Sequence, residues 1–318
     1  MKSVALTLAL FLAFIPPSFS NLDIACNTDG DIYLLKVEGD RVLKSTNLTH
    51  HPASDIEPRW SPDGLKIAFS SDRDGNFEIY VMDLRGRKLK RLTYNPAPDR
   101  APAWSPDGRK LAFISGRMPR GIYIADLLTG EISHLRGTSS ANCVTWRNQR
   151  ELLFAAISRD GSRLCLADVS TGEVRELVSL APPPPGVFRI SLSPDGRKLV
   201  FDSQHQRMKG SYQFDVYLMD LEGGGVRNLT RHPLHDLYPC WTPDGRLIAF
   251  SSNRKGSIDG FDIFFMTPEG EIKWQLKLEG CNTNPDLFDP RYARYSISPS
   301  VDLRRLMWGM IKREGVQR

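Results

Sequence analysis

One short motif, repeated, constrains this chain more than any other feature. Trp60-Ser61-Pro62-Asp63-Gly64 returns as Trp104-Ser105-Pro106-Asp107-Gly108, Leu192-Ser193-Pro194-Asp195-Gly196 and Trp241-Thr242-Pro243-Asp244-Gly245. Decayed copies stand at Trp146-Arg147-Asn148-Gln149-Arg150 and at Ile297-Ser298-Pro299-Ser300. Pro at the second position and Gly at the fourth make each copy a tight turn. After the first copy, residues 65–71 alternate apolar and polar, as a half-buried strand does. Asp72-Arg73-Asp74-Gly75-Asn76 is a second turn, 77–84 a strand rich in Phe, Ile, Tyr and Val, and 88–93 a closing strand. Four antiparallel strands recurring every roughly 40–50 residues are the signature of a propeller. The expected fold is therefore all-β: a six-bladed β-propeller of four-stranded antiparallel blades, one domain over 21–318.

Turn positions set the expected blades at 57–93, 101–136, 143–178, 188–230 and 238–280. The sixth is shared between the chain ends. Its first and second strands are expected at 295–299 and 306–311, its third and fourth at 31–37 and 42–49. Residues 24–27 compete with 306–311 for the second place, because Ile24-Ala25-Cys26 resembles Ile67-Ala68-Phe69. Sharing one blade closes the ring and removes the open seam.

WSPDG, a strand, SDRDGN, EIYVMDL and an LT ending together resemble the TolB-type, WD-repeat-like propeller family. The resemblance covers residues 24–311 and only the propeller part, with no counterpart of the α/β domain that TolB carries ahead of it. It implies the propeller fold, not a particular partner.

Residues 1–20 read as a signal peptide. Lys2 supplies the positive start, 4–15 the apolar stretch and Ser18-Phe19-Ser20 the small-x-small cleavage site. The stretch is too short to span a bilayer comfortably, so the expectation is a periplasmic or secreted protein cleaved near Ser20 and not membrane-spanning. Net charge is +5, from 42 basic and 37 acidic residues. That is a mixed surface, without the concentrated patch nucleic-acid binding needs. Cys26, Cys143, Cys165, Cys240 and Cys281 are dispersed without metal-ligand spacing and read as small buried hydrophobes.

Two groups of residues are candidates for function. Insertions at 203–213, 252–260 and 280–294 crowd one face and bring Tyr212, Phe261, Phe288, Arg291, Tyr292 and Arg294, a mix typical of contact surfaces. The recurring Leu-Thr-x-x-Pro-x-x-Asp-x-x-Pro-x-Trp places Asp55, Asp99 and Asp236 near the entrance of the central channel, beside His51 and His232. These carboxylates either hold a divalent cation through oxygen or accept backbone N–H bonds within their own loops. GxSxG, HExxH, phosphate-loop and dinucleotide fingerprints are all lacking from the sequence. The function expected is that of an exported, non-catalytic, monomeric binding module without a cofactor. Its partner would be an envelope or peptidoglycan-associated protein. The alternative is a metal-assisted polysaccharide lyase or hydrolase with its site at the channel mouth, a class also known on TolB-like propellers.

Overall fold

The computed structural model describes residues 20–158, 161–179, 186–206, 212–222, 225–254, 260–280 and 282–293. Three strands come first: β1 (Ser20–Thr28), β2 (Asp31–Glu38) and β3 (Arg41–Asn47). Blade 1 follows as β4 (Asp55–Trp60), β5 (Lys66–Ser71), β6 (Glu78–Asp83) and β7 (Lys88–Arg91). Blade 2 is β8 (Asp99–Trp104), β9 (Lys110–Ser115), β10 (Gly121–Asp126) and β11 (Ile132–His134). Blade 3 is β12 (Ala141–Trp146), β13 (Glu151–Ser158), β14 (Gly161–Asp168) and β15 (Val174–Ser179). Blade 4 is β16 (Gly186–Leu192), β17 (Lys198–Gln206), β18 (Tyr212–Asp220) and β19 (Val226–Asn228). Blade 5 is β20 (Asp236–Trp241), β21 (Ile248–Ser252), β22 (Asp262–Met266) and β23 (Ile272–Leu276). Last, β24 (Asn282–Phe288) pairs with β1, so blade 6 reads β24-β1-β2-β3.

The blades repeat at the level of single contacts. In the turns, Gly64, Gly108, Gly196 and Gly245 have φ of 70–74°, where a side chain would be strained. The Asp before each Gly accepts a backbone N–H two residues on, from Leu65, Arg109, Arg197 or Arg246. In the second strands Phe69, Phe113, Phe154, Phe201 and Phe250 are buried at matching register, and Cys26 takes this place in blade 6, opposite Tyr33. Six apolar clusters lie between neighbouring blades, one at each interface. Those joining blade 6 to blades 5 and 1 contain Leu22, Ile24 and Cys26 on one side and Ala25 and Ile32 on the other. The ring is closed.

Closure by the two chain ends is as expected, and so are the third and fourth strands of blade 6. Its first strand is not. Asn282–Phe288 fills the place expected for 295–299, and Ser20–Thr28 is the second strand in preference to 306–311. The reason is visible in Asn282-Thr283-Asn284-Pro285-Asp286-Leu287, which keeps only the Pro of Asp55-Ile56-Glu57-Pro58-Arg59-Trp60, with Asn at the Asp position and Leu at the Trp position. Asn282 N donates to Phe261 O as Asp55 N does to Gly30 O and Asp99 N to Phe77 O. Residues 1–19, 294–318 and Cys281 lie outside the described residues. No helix among the described residues is long and apolar enough to cross a membrane.

Candidate functional site: the upper channel mouth

Each first strand carries a bulge, which in blades 1, 2, 5 and 6 falls at a proline, and the bulge decides what faces the axis. Register shifts fall between Ile56 and Arg59, Arg100 and Ala103, and Leu237 and Cys240. Glu57, Ala101, Tyr238 and Asn284 there take φ of 53–57°, an uncommon conformation for side-chain-bearing residues. The turned backbone amides are met by the preceding blade. Ala101 N donates to Glu57 Oε2 at 2.8 Å, and Tyr238 N to Asp202 Oδ2 at 2.8 Å. Blades are thus stitched together around the channel by carboxylates.

Above this ring the channel opens into a cavity of about 670 Å³. Phe188, Phe214, Leu237 and Tyr238 line one side, Arg100 and Arg120 the other, with Glu57 between them. Phe188 is 43% exposed and meets Phe214 edge-on at 5.3 Å between centroids; Phe214 leans on His235 at 5.8 Å. The Arg100 guanidinium lies 3.7 Å from the Phe77 ring centroid. Below, the channel narrows to about 20 Å³ among Arg59, Arg189, Tyr238 and Asn284. Arg189 is buried there and donates to Asn284 Oδ1 at 3.2 Å. The upper mouth is an aromatic-walled recess that narrows downward into the channel.

The expected channel-mouth carboxylates are elsewhere engaged. Asp55, Asp99 and Asp236 are fully buried, and each is paired with an Arg eighteen residues on: Arg73, Arg117 and Arg254. Arg73 reaches both Asp55 oxygens at 2.9 Å and lies 4.9 Å from the Tyr80 ring centroid. Arg117 lies over Phe113 and Tyr123, and Arg254 over Phe250 and Phe264. Burial raises the Asp99 carboxyl above its ordinary value, with Ser115 and Arg117 pulling it back. These aspartates do not fit a cation site, because guanidinium groups already occupy their oxygens. Among the described residues no group of three or more His, Cys, Asp or Glu is placed to hold a metal. His51 and His232 cap their own loops, Nδ1 accepting from Ala53 N and Leu234 N. Asp99→Ala, which strips Arg117 of its partner, should cost about 3 kcal/mol of stability by denaturant melt. The double variant Asp99→Ala/Arg117→Leu should cost less.

The expected contact residues divide between the two faces. Phe261 is on the upper face, half-buried, its carbonyl bound by Asn282. Phe288 is not a loop residue: it ends β24 on the lower face and stacks on Trp60 at 5.1 Å. Arg291 and Tyr292 follow in a 3₁₀ turn on that lower face. Tyr212 stands in β18, and Arg294 lies outside the described residues. The residues that do wall the upper mouth were missed. Their one signal was the bulge position, which reads Glu57, Ala101, Tyr238 and Asn284 while the Pro after it stays constant.

Residues 13–173 match the Tricorn protease N-terminal beta propeller domain, half of the chain. The chain belongs to that family. Beyond the family match, this Tricorn-type propeller is similar to dipeptidyl-peptidase 5 of Porphyromonas gingivalis, 27% identical over 226 residues, 68% of this chain and 32% of that protein. It is also similar to the Tol-Pal system protein TolB of Bordetella pertussis, 29% identical over 118 residues, 36% of this chain and 27% of the relative. The chain spans about a third or less of the length of these relatives. The solved TolB of Acinetobacter baumannii shares its fold with a TM-score of 0.70 at 21% identity, over 84% of this chain and 66% of that one. The likeness to TolB read from the sequence holds for the propeller.

The carboxylate that stitches blade 4 to blade 5 of this Tricorn-type ring has a titratable cost. Burial pushes the Asp202 carboxyl up to about 6, against the hydrogen bonds from Tyr238 and Arg189. Its unfolded counterpart titrates near about 3.9. Between about pH 4 and 6 the folded state therefore holds the extra proton, and stability rises as pH falls through that window. Asp83 and Asp126, held low by turn N–H bonds, act only below about pH 4. Burial pushes the Asp286 carboxyl up to about 6 as well, so melting temperature should rise from pH 7 to pH 5 in the wild type, less in Asp202→Asn and least in Asp202→Asn/Asp286→Asn.

Proposed function

We propose that this protein is an exported, non-catalytic binding module of the cell envelope whose upper mouth receives a segment of a partner protein. One observation carries the reading: Phe188, exposed and braced by Phe214, stands in the wall of a recess that Arg100 and Arg120 also line. Aromatic and Arg side chains in a central pocket dominate protein-binding energy. Bracing removes the ordering cost that would otherwise weaken association. The TolB relatives, named for the Tol-Pal system, support an envelope setting. The leader read at residues 1–20 supports export, and cleavage near Ser20 leaves β1 short of only its first residue. Capture from an envelope extract tests the reading. Wild type and Tyr292→Ala, altered on the lower face, should retain the same protein, and Phe188→Ala should lose it. Equal capture by Phe188→Ala would refute it.

A further inference from the structure

Charge is balanced over the chain as a whole and unbalanced at one corner of the ring. The turns that join third to fourth strands stand on the lower face with the Ser-Pro-Asp-Gly turns, because first and third strands of a blade run the same way. In blades 2 to 6 each of these turns carries an acidic residue: Glu131, Glu173, Glu222, Glu269 and Asp40. The turn of blade 1 carries Arg85 and Arg87 and no acid, and five of the seven residues 85–91 are basic. Arg91 is engaged by Asp74 and Glu78. Arg85, Arg87, Lys88 and Lys90 are exposed, and none of them forms an ion pair among the described residues. Asp83, the nearest carboxylate in sequence, accepts from the backbone N–H groups of Arg85 and Gly86. Like charges crowded on one hairpin repel, so this cluster returns nothing to the fold.

The neighbouring turn holds an apolar side chain out in solvent. Leu128, between β10 and β11 of blade 2, is 88% exposed. Its turn is fixed: Leu128 N and Thr129 N donate to Asp126 Oδ1, and Gly130 N donates to Asp126 O. The flanks of the turn, Leu127 and Ile132, pack in the apolar cluster between blades 1 and 2, together with Val81. Lys90 is the cross-strand partner of Val81 and Lys88 that of Asp83, so both lysines lie on the side of blade 1 that meets blade 2. Basic hairpin and projecting leucine are thus neighbours on one face.

We propose that this corner of the lower face rests on an anionic phospholipid bilayer. Arg85, Arg87, Lys88 and Lys90 lie among the headgroup phosphates, and Leu128 enters the boundary with the acyl chains. A soluble polyanion would satisfy the cations but has nothing to offer Leu128; a bilayer takes both. The upper mouth, at the other end of the channel, is left free for whatever it binds.

Flotation of the mature chain, cleaved near Ser20, with lipid vesicles tests this. Wild type should bind vesicles of phosphatidylcholine mixed with phosphatidylglycerol and not vesicles of phosphatidylcholine alone. Each cation removed should weaken binding about fivefold, so Arg85→Gln/Arg87→Gln should bind about twenty-five-fold more weakly. Leu128→Ser should bind about tenfold more weakly. All three side chains are exposed, and both variants should keep the wild-type melting temperature. Failure of the wild type to bind the mixed vesicles would overturn the proposal, as would equal binding to both kinds of vesicle. Unchanged binding by Leu128→Ser, with retention on heparin that Arg85→Gln/Arg87→Gln loses, would overturn it in favour of a soluble anionic polymer.

Discussion

A chain lacking residues 20–28 should show no cooperative melt and should be cut rapidly by protease. Strand β1 lies between β24 and β2, so its loss breaks two hydrogen-bond ladders at once. It also removes Leu22, Ile24 and Cys26 from the cluster with blade 5, and Ala25 from the cluster with blade 1. Fully burying a Leu or Ile is worth about 1.5–3 kcal/mol. The combined loss is then on the order of 5–10 kcal/mol, comparable to the whole stability of a domain. A synthetic peptide of residues 20–28 should restore part of the transition when added back. An unchanged melting temperature in the shortened chain would show that the ring does not depend on this strand.

Trp104→Ala should lower stability by about 3–5 kcal/mol, the usual cost of emptying a buried Trp site. The side chain is 9% exposed and packs with Leu111, Phe113 and Tyr123 against Ala68 and Ile79 of blade 1. Its indole donates to Arg59 O at 3.0 Å, so it binds two blades by both packing and hydrogen bond. Trp104→Phe keeps most of the ring volume and loses that bond, which should cost about 1–2 kcal/mol. A denaturant titration of both variants checks the order. A loss below about 1 kcal/mol in Trp104→Ala would contradict the packing described.

The fold was legible because turn chemistry and strand register repeat together. The Ser-Pro-Asp-Gly glycines need positive φ, and the second-strand apolar position is kept from Phe69 to Cys26. Blade 6 was misread at its first strand because Leu287 replaces the Trp and Asn282 the Asp, while Ile297-Ser298-Pro299 offers a better local match. Tertiary pairing with β1 decided between them. The aspartates were legible as a repeat but not as ion pairs. Their arginines stand eighteen residues away, across two strands and the turn between them, where spacing alone does not reveal contact. The mouth residues were the least legible. A bulge aims Tyr238 inward, and Phe214 comes from another blade, so no single stretch of sequence carries the site.

Titration of the captured partner against wild type, Phe188→Ala and Tyr292→Ala tests the binding site most directly. A central aromatic anchor contributes at least about 2 kcal/mol, roughly thirtyfold in affinity. Phe188→Ala should therefore bind at least thirtyfold more weakly than wild type, with an unchanged melting temperature, while Tyr292→Ala binds within about twofold. The opposite ranking, with Tyr292→Ala impaired and Phe188→Ala normal, would place the binding surface on the lower face and contradict the account.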